Sequence, residues 1–311
     1  MAGIHAYAEG MQTREELLAK IKTLFGEPKN ATRLVQDGHI WVDAKRGLVI
    51  VDGYVTLRRG QLEMFACPAG TKEHESIVAV FAAARHVHAG LLAAGAESGG
   101  PTQFDPYRPA SGTTIKVSVL YHDESGKRHI DRAQSWIRDL QSKKEMPFDW
   151  VFAGSTFYKD IDTGEPRYLG DAGDLICVAN FPAATLDLAV ESAAANSGLN
   201  FEAMTENIPP MYTPVRLVLR VSNEEPKRSS DGNTAKSVAG DAGQPSSSVP
   251  VDNANKPKEV DNVSEITLSK PKSLSESAVS VKPALPEKSK NSAVTDGTTF
   301  NVDELFEKPK K

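Results

Sequence analysis

The chain has 311 residues, two cysteines and a formal net charge of −5. The mild charge, with no basic stripe interleaved with aromatics, sets nucleic acid aside as an expected partner, and no apolar run reaches the roughly 18 residues that a membrane span needs. Two cysteines are too few for a disulfide scaffold or a four-cysteine metal site.

The first predicted element is a helix opening at Thr13, where Thr13-Arg14-Glu15-Glu16 has the form of a capping box. Leu17, Leu18, Ile21, Leu24 and Phe25 share one face, and Gly26 and Pro28 end it. Strand patterns follow at 39–43 and 48–56, joined by Lys45-Arg46-Gly47 as a hairpin. A third strand at 62–66 runs into Cys67-Pro68, where proline removes an amide donor. Residues 75–80 read as a strand and the alanine-rich stretch 81–96 as a helix. Residues 95–101 read as a loop. Arg85, His86 and His88 interrupt the apolar run of 77–96.

Strands are expected at 114–121 and 128–134 across the turn residues Asp123-Glu124-Ser125-Gly126. A short helical continuation at Trp136, Ile137 and Leu140 comes next. Further strands fall at 150–158, 167–170, 175–179 and 215–221, and the pattern at 185–192 assigns no element. This order, with strands outnumbering helices and no βαβ alternation, predicts an α+β fold: a mostly antiparallel sheet with one or two packed helices.

Composition divides the chain. Residues 1–34 read as an N-terminal helix and linker, and 35–222 as the domain. Residues 223–311 are rich in Ser, Pro, Lys, Asp, Asn and Glu and read as a disordered low-complexity tail, too poor in apolar side chains to offset chain entropy. Phe300, Val302, Leu305 and Phe306 form one amphipathic cluster there, either a docking motif on a tether or chance composition. Ala6-Tyr7-Ala8 has the small-x-small form of an export cleavage site, without a basic or apolar region before it. The protein is therefore expected in the periplasm or outside the cell if the true start lies upstream, and in the cytoplasm otherwise.

Several separate motifs carry a resemblance. They are Val51-Asp52-Gly53-Tyr54-Val55, Leu62-Glu63-Met64-Phe65-Ala66-Cys67-Pro68, Gly70-Thr71-Lys72-Glu73-His74-Glu75-Ser76, Val87-His88-Ala89-Gly90-Leu91-Leu92, Trp150-Val151-Phe152-Ala153-Gly154-Ser155 and the run from Gly173 through Cys177 to Pro182. Together they resemble the YdjY-domain family, in its bacterial, planctomycete-type form, over roughly residues 35–220. The resemblance implies export and no established activity. A ferredoxin-like label would imply an iron–sulfur cluster, but that needs about four thiolates, and this chain has two cysteines far apart.

The densest set of reactive groups lies between Cys67 and His88. Cys67, His74, Glu75, His86 and His88 offer thiolate, imidazole and carboxylate donors. On a helix His86 and His88 point about 200° apart, so a metal site would take His74 with one of them and Cys67 or Glu75. The alternative is ordinary packing and solvation of each. No cofactor is expected; a metal ion on Cys67, His74 and His88 is the one the donors allow. Cys67 with His74 or His88 also has the elements of a thiol nucleophile. Cys67 and Cys177 are either one disulfide or two buried thiols.

Gly154-Ser155 lacks the second glycine of a nucleophile elbow. Asp160-Ile161-Asp162-Thr163-Gly164-Glu165 fits a hairpin turn better than a calcium loop, because the glycine comes one place early. Asp171 and Asp174 flank Gly173 in a loop, as paired carboxylates or as turn and cap residues. The leading functional expectation is a non-catalytic domain that binds a small molecule or a protein through Cys67, His74, Glu75, His88, Asp171 and Asp174. The rivals are a metal- or thiol-dependent enzyme using Cys67, His74 and His88, and an envelope-associated structural protein with the tail as spacer.

Overall fold

The computed structural model describes residues 12–192 and 198–226. The tail from residue 227 on, with its Phe300 to Phe306 cluster, and the Ala6-Tyr7-Ala8 motif lie outside the described residues.

The capping box at Thr13 forms in full. Glu16 N donates to Thr13 Oγ1 at 3.2 Å and Thr13 N donates to Glu16 Oε2 at 2.8 Å. Helix α1 (Arg14–Phe25) buries Leu17 and Ile21 and ends at Gly26. Strands β1 (Thr32–Arg33), β2 (Ile40–Asp43) and β3 (Leu48–Val55) form an antiparallel ladder, with Asp43 opposite Leu48 at the hairpin. Asp43 holds that turn by accepting from Arg46 N (3.1 Å) and Nε (2.6 Å). Strands β4 (Met64–Pro68) and β5 (Ser76–Val80) run parallel to each other, and α2 (Ala84–Ala93) follows.

Residues 98–112, read as loop at their start, contain two small ladders, 98–100 with 111–112 and 103–104 with 107–108. Strands β6 (Thr114–His122) and β7 (Arg128–Arg132) form the expected hairpin. The helical continuation at Trp136 stops after one 3₁₀ turn, and Ile137–Asp139 pairs instead with Phe201–Ala203. The remaining strands of the large sheet are β8 (Trp150–Phe152), β9 (Ile176–Cys177), β10 (Leu186–Leu188) and β11 (Pro214–Ser222).

The α+β expectation is overturned: the described residues are mostly β, and their sheet closes. The ring runs β3-β11-β6-β8-β10-β9-β4-β5 and returns to β3, a closed eight-stranded barrel within an 11-stranded sheet. Among the described residues α1 and α2 are the α-helices, and both are short elements packed on the sheet. The reason is the two-sided pairing of β5, parallel to β4 and antiparallel to β3. Once β5 pairs on both sides the ring keeps no open edge to be covered by helices. Gly53 permits the seam, since a Cβ there would stand 2.4 Å from Ala79 O.

Alternation sorts β3 into two faces. Val49, Val51 and Val55 join the main core with Leu217, Leu219, Val117, Val119, Phe65, Trp136 and Trp150. Tyr54, on the other face, joins Leu17, Ile21, Cys67, Ala79 and Phe81 in a separate cluster beneath α1. Gly90 lets α2 sit close on the first face: a Cβ there would be 3.2 Å from Val49.

Candidate functional site

The loop after β4 turns at Gly70, and Glu73 holds it. Glu73 Oε1 accepts from Gly70 N at 2.7 Å and from the Tyr54 hydroxyl at 2.8 Å. Cys67 at its start is fully buried among α1 and β5 side chains. Burial pushes its thiol up, against hydrogen bonds with Ser76 and Thr71 that pull it down. A reactive thiolate is disfavoured in such a place. Cys177 is buried too, its thiol pushed well up by burial and then by Asp187; both cysteines are free. His74 is solvated, 78% exposed, with Glu75 3.7 Å away.

His88 goes elsewhere. It lies on α2 with Nδ1 3.1 Å from the Tyr168 hydroxyl, edge-on to Phe152 and Tyr168. Burial pushes its pKa down, favouring the neutral ring. Tyr168 in turn reaches Gly154 O and Thr185, and burial pushes its hydroxyl up to about 12. Ser155 has φ of 53°, and its buried Oγ has no histidine or carboxylate within hydrogen-bond distance among the described residues, so no base activates it. No three His, Cys, Asp or Glu side chains among the described residues gather closely enough to hold a metal ion, so Cys67, His74 and His88 do not form such a group.

Two of the nominated carboxylates do meet. Lys72 Nζ stands 3.0 Å from Asp174 and 3.6 Å from Glu75. Its alkyl chain lies over Gly173, where a Cβ would come within 2.6 Å, and its ammonium sits 4.8 Å from the Phe181 ring centroid. Glu63 completes the cluster, its carboxyl pushed up by burial and then by Glu75. Asp171 does a different job. Its Oδ1 accepts from Arg85 N at 3.0 Å and its other oxygen pairs with the Arg85 guanidinium. Ala83 at the helix cap offers no side-chain acceptor, so Asp171 supplies one from a distant part of the chain. Asp160, in the hairpin 157–168, accepts from Asp162 N and Thr163 N, which is turn chemistry.

The two nominated loops line one cavity of about 390 Å³. Pro68, Ala69 and Thr71 form one wall, Asp171 and the start of α2 another. Its charged lining is Arg14 and Arg85 against Asp171, with the His86 ring beside them. Arg14 lies 4.8 Å over the Phe81 ring. Burial pushes His86 down, helped by Arg85 and opposed by Asp171.

Sequence reading missed a second constellation, at His39, Asp52 and Arg216. Asp52 Oδ2 is 3.1 Å from His39 Nδ1, and Asp52 is also bound by Arg216. His39 and Asp52 line a cavity of about 330 Å³ beneath α1. The one sequence signal was Asp52 placed mid-strand in an apolar run, where a carboxylate needs a partner.

The family model for the YdjY domain matches residues 40–220, more than half of the chain. No curated protein and no solved structure matches.

Proposed function

The chain belongs to the YdjY domain family, and on that footing we propose that this domain binds a ligand or partner without catalysis, through an acidic group received between the β4 loop and α2. The observation that carries this reading is the cavity of about 390 Å³, which gathers Arg14, Arg85 and His86 around the start of a helix. With the helix start already capped by Asp171, the charge that favours an acidic group there is the Arg14 guanidinium. Asp171 neutralises Arg85, which leaves the Arg14 guanidinium as the cation and the neutral His86 ring as a hydrogen-bonding group to meet the ligand. The volume suits a small acid or the acidic side chain of a protein.

A thiol or metal enzyme built on Cys67, His74 and His88 would need those groups at one point. Their side chains lie in three surroundings: beneath α1, in solvent, and against Tyr168. Titration calorimetry of the full chain with succinate and with inorganic phosphate tests the proposal. Saturable binding that weakens about tenfold or more in Arg14→Ala and in His86→Ala supports it. Absence of binding, or equal binding by the variants, overturns it.

A further inference from the structure

We propose that the separate cavity beneath α1 is a binding site for a small zwitterion, an α-amino acid held by its carboxylate and its ammonium together. The inference does not rest on the reading above, which concerns another cavity. This one, of about 330 Å³, lies between α1, β1 and β2, with Asp52 and His39 among its lining residues. That is the low end of ligand-site volumes and suits a molecule of few heavy atoms.

Most charges around it are already matched. Arg33 pairs with Glu27 and lies 4.8 Å over Trp41. Glu27 also accepts from Trp41 Nε1 at 2.8 Å. Asp52 is bound by the buried Arg216. These pairs make a rigid, internally neutral wall. Lys22 and Asp37, exposed at the rim, have no ion-pair or hydrogen-bond side-chain partner among the described residues. Asp37 is held at φ of 57°, a conformation few non-glycine residues adopt, beside the close turn of Gly38 on Val35.

His39 adds the third element. Asp52 can only accept, so Nδ1 of His39 donates to it, and in the neutral ring Nε2 is the acceptor. Nε2 has no protein partner among the described residues. The ring is fixed between Trp41 and Phe81, at 5.9 and 6.0 Å between centroids. The cavity therefore presents one cation, one anion and one fixed acceptor. A simple anion would satisfy Lys22 and face Asp37; a simple cation would do the reverse. A zwitterion satisfies both, with its carboxylate on Lys22 and its ammonium shared by Asp37 and His39 Nε2.

The test is titration calorimetry of the full chain with glycine and L-serine, beside N-acetylglycine, which lacks the ammonium, and glycine methyl ester, which lacks the carboxylate. We expect saturable binding of the free amino acids and at least about tenfold weaker binding of both capped forms. Lys22→Met and Asp37→Asn, both at exposed positions, should each weaken binding by about tenfold while the melting temperature stays unchanged. No saturable binding of either free amino acid by about 10 mM overturns the proposal. So does equal affinity for a capped form, or native affinity in both variants.

Discussion

Arg216 on β11 faces Asp52 on β3 in direct cross-strand register and grips both of its carboxylate oxygens, Nε to Oδ1 at 2.6 Å and Nη2 to Oδ2 at 3.1 Å. The two side chains are 0% and 1% exposed. Nη2 also donates to Gly26 O at 2.8 Å, so the pair ties the end of α1 to the barrel wall. Phe25 and Trp41 cover the guanidinium at 5.1 Å each.

Removing one partner leaves the other as a buried, uncompensated charge. Arg216→Ala is expected to cost about 3–5 kcal/mol in urea unfolding. The double variant Arg216→Met with Asp52→Leu should cost less than the sum of the two single changes, because no charge remains stranded. Additive losses would contradict this account of the pair.

Asp187 carries a pH dependence. Its carboxylate accepts from Thr102 Oγ1 (3.0 Å), Asn180 Nδ2 (2.9 Å) and Leu188 N (2.8 Å), all neutral donors. Burial nonetheless pushes its pKa up to about 6, above the roughly 3.9 of an unfolded aspartate. The folded state thus holds the proton more tightly. The stabilisation is complete below about pH 4 and is lost as pH rises through about 6, on the order of 2–3 kcal/mol in all. Asp187→Asn lacks that slope. Its unfolding free energy relative to the native chain should rise between pH 4 and pH 7.5; a constant difference would speak against a raised Asp187.

The barrel seam has a single-atom test. A methyl group on Gly53 would press on the carbonyl of Ala79, with Val80 Cα next at 3.1 Å. Both neighbours are backbone, which cannot swing aside as a flexible side chain can. Gly53→Ala is expected to cost about 3 kcal/mol or more, beyond the usual range for overpacking. A change within about 0.5 kcal/mol would mean that β3 and β5 do not close the ring as described.

Thiol accessibility checks the placement of the cysteines. Both thiols are buried and held in the protonated form. At pH 8 a thiol reagent should leave the native protein unlabelled and modify two cysteines per chain once it is denatured. Rapid native labelling of Cys67 would reopen the thiol-enzyme reading.

Much of the local structure was legible because its causes are local. The capping box at Thr13, the Asp43 to Leu48 hairpin and the β6–β7 turn each depend on residues a few places apart. Barrel closure was not legible, because it depends on β5 choosing β3 and β4 at once, and periodicity is silent on pairing. The same holds for Asp52 and Arg216, 164 positions apart. Of the nominated site residues, Glu75 and Asp174 came together only through Lys72, which charge alone did not single out. Asp171 was nominated for the binding loop, though capping or turn formation is the commoner role of such a residue, and the bare Ala83 at the start of α2 made it a cap.

Amide chemical-shift mapping by NMR tests the central claim, binding at the cavity between the β4 loop and α2, most directly. On adding succinate, the account predicts saturable shifts centred on Ala69, Thr71, Ala83, Arg85 and His86. Shifts confined to other surfaces, or none at saturating ligand, would contradict it.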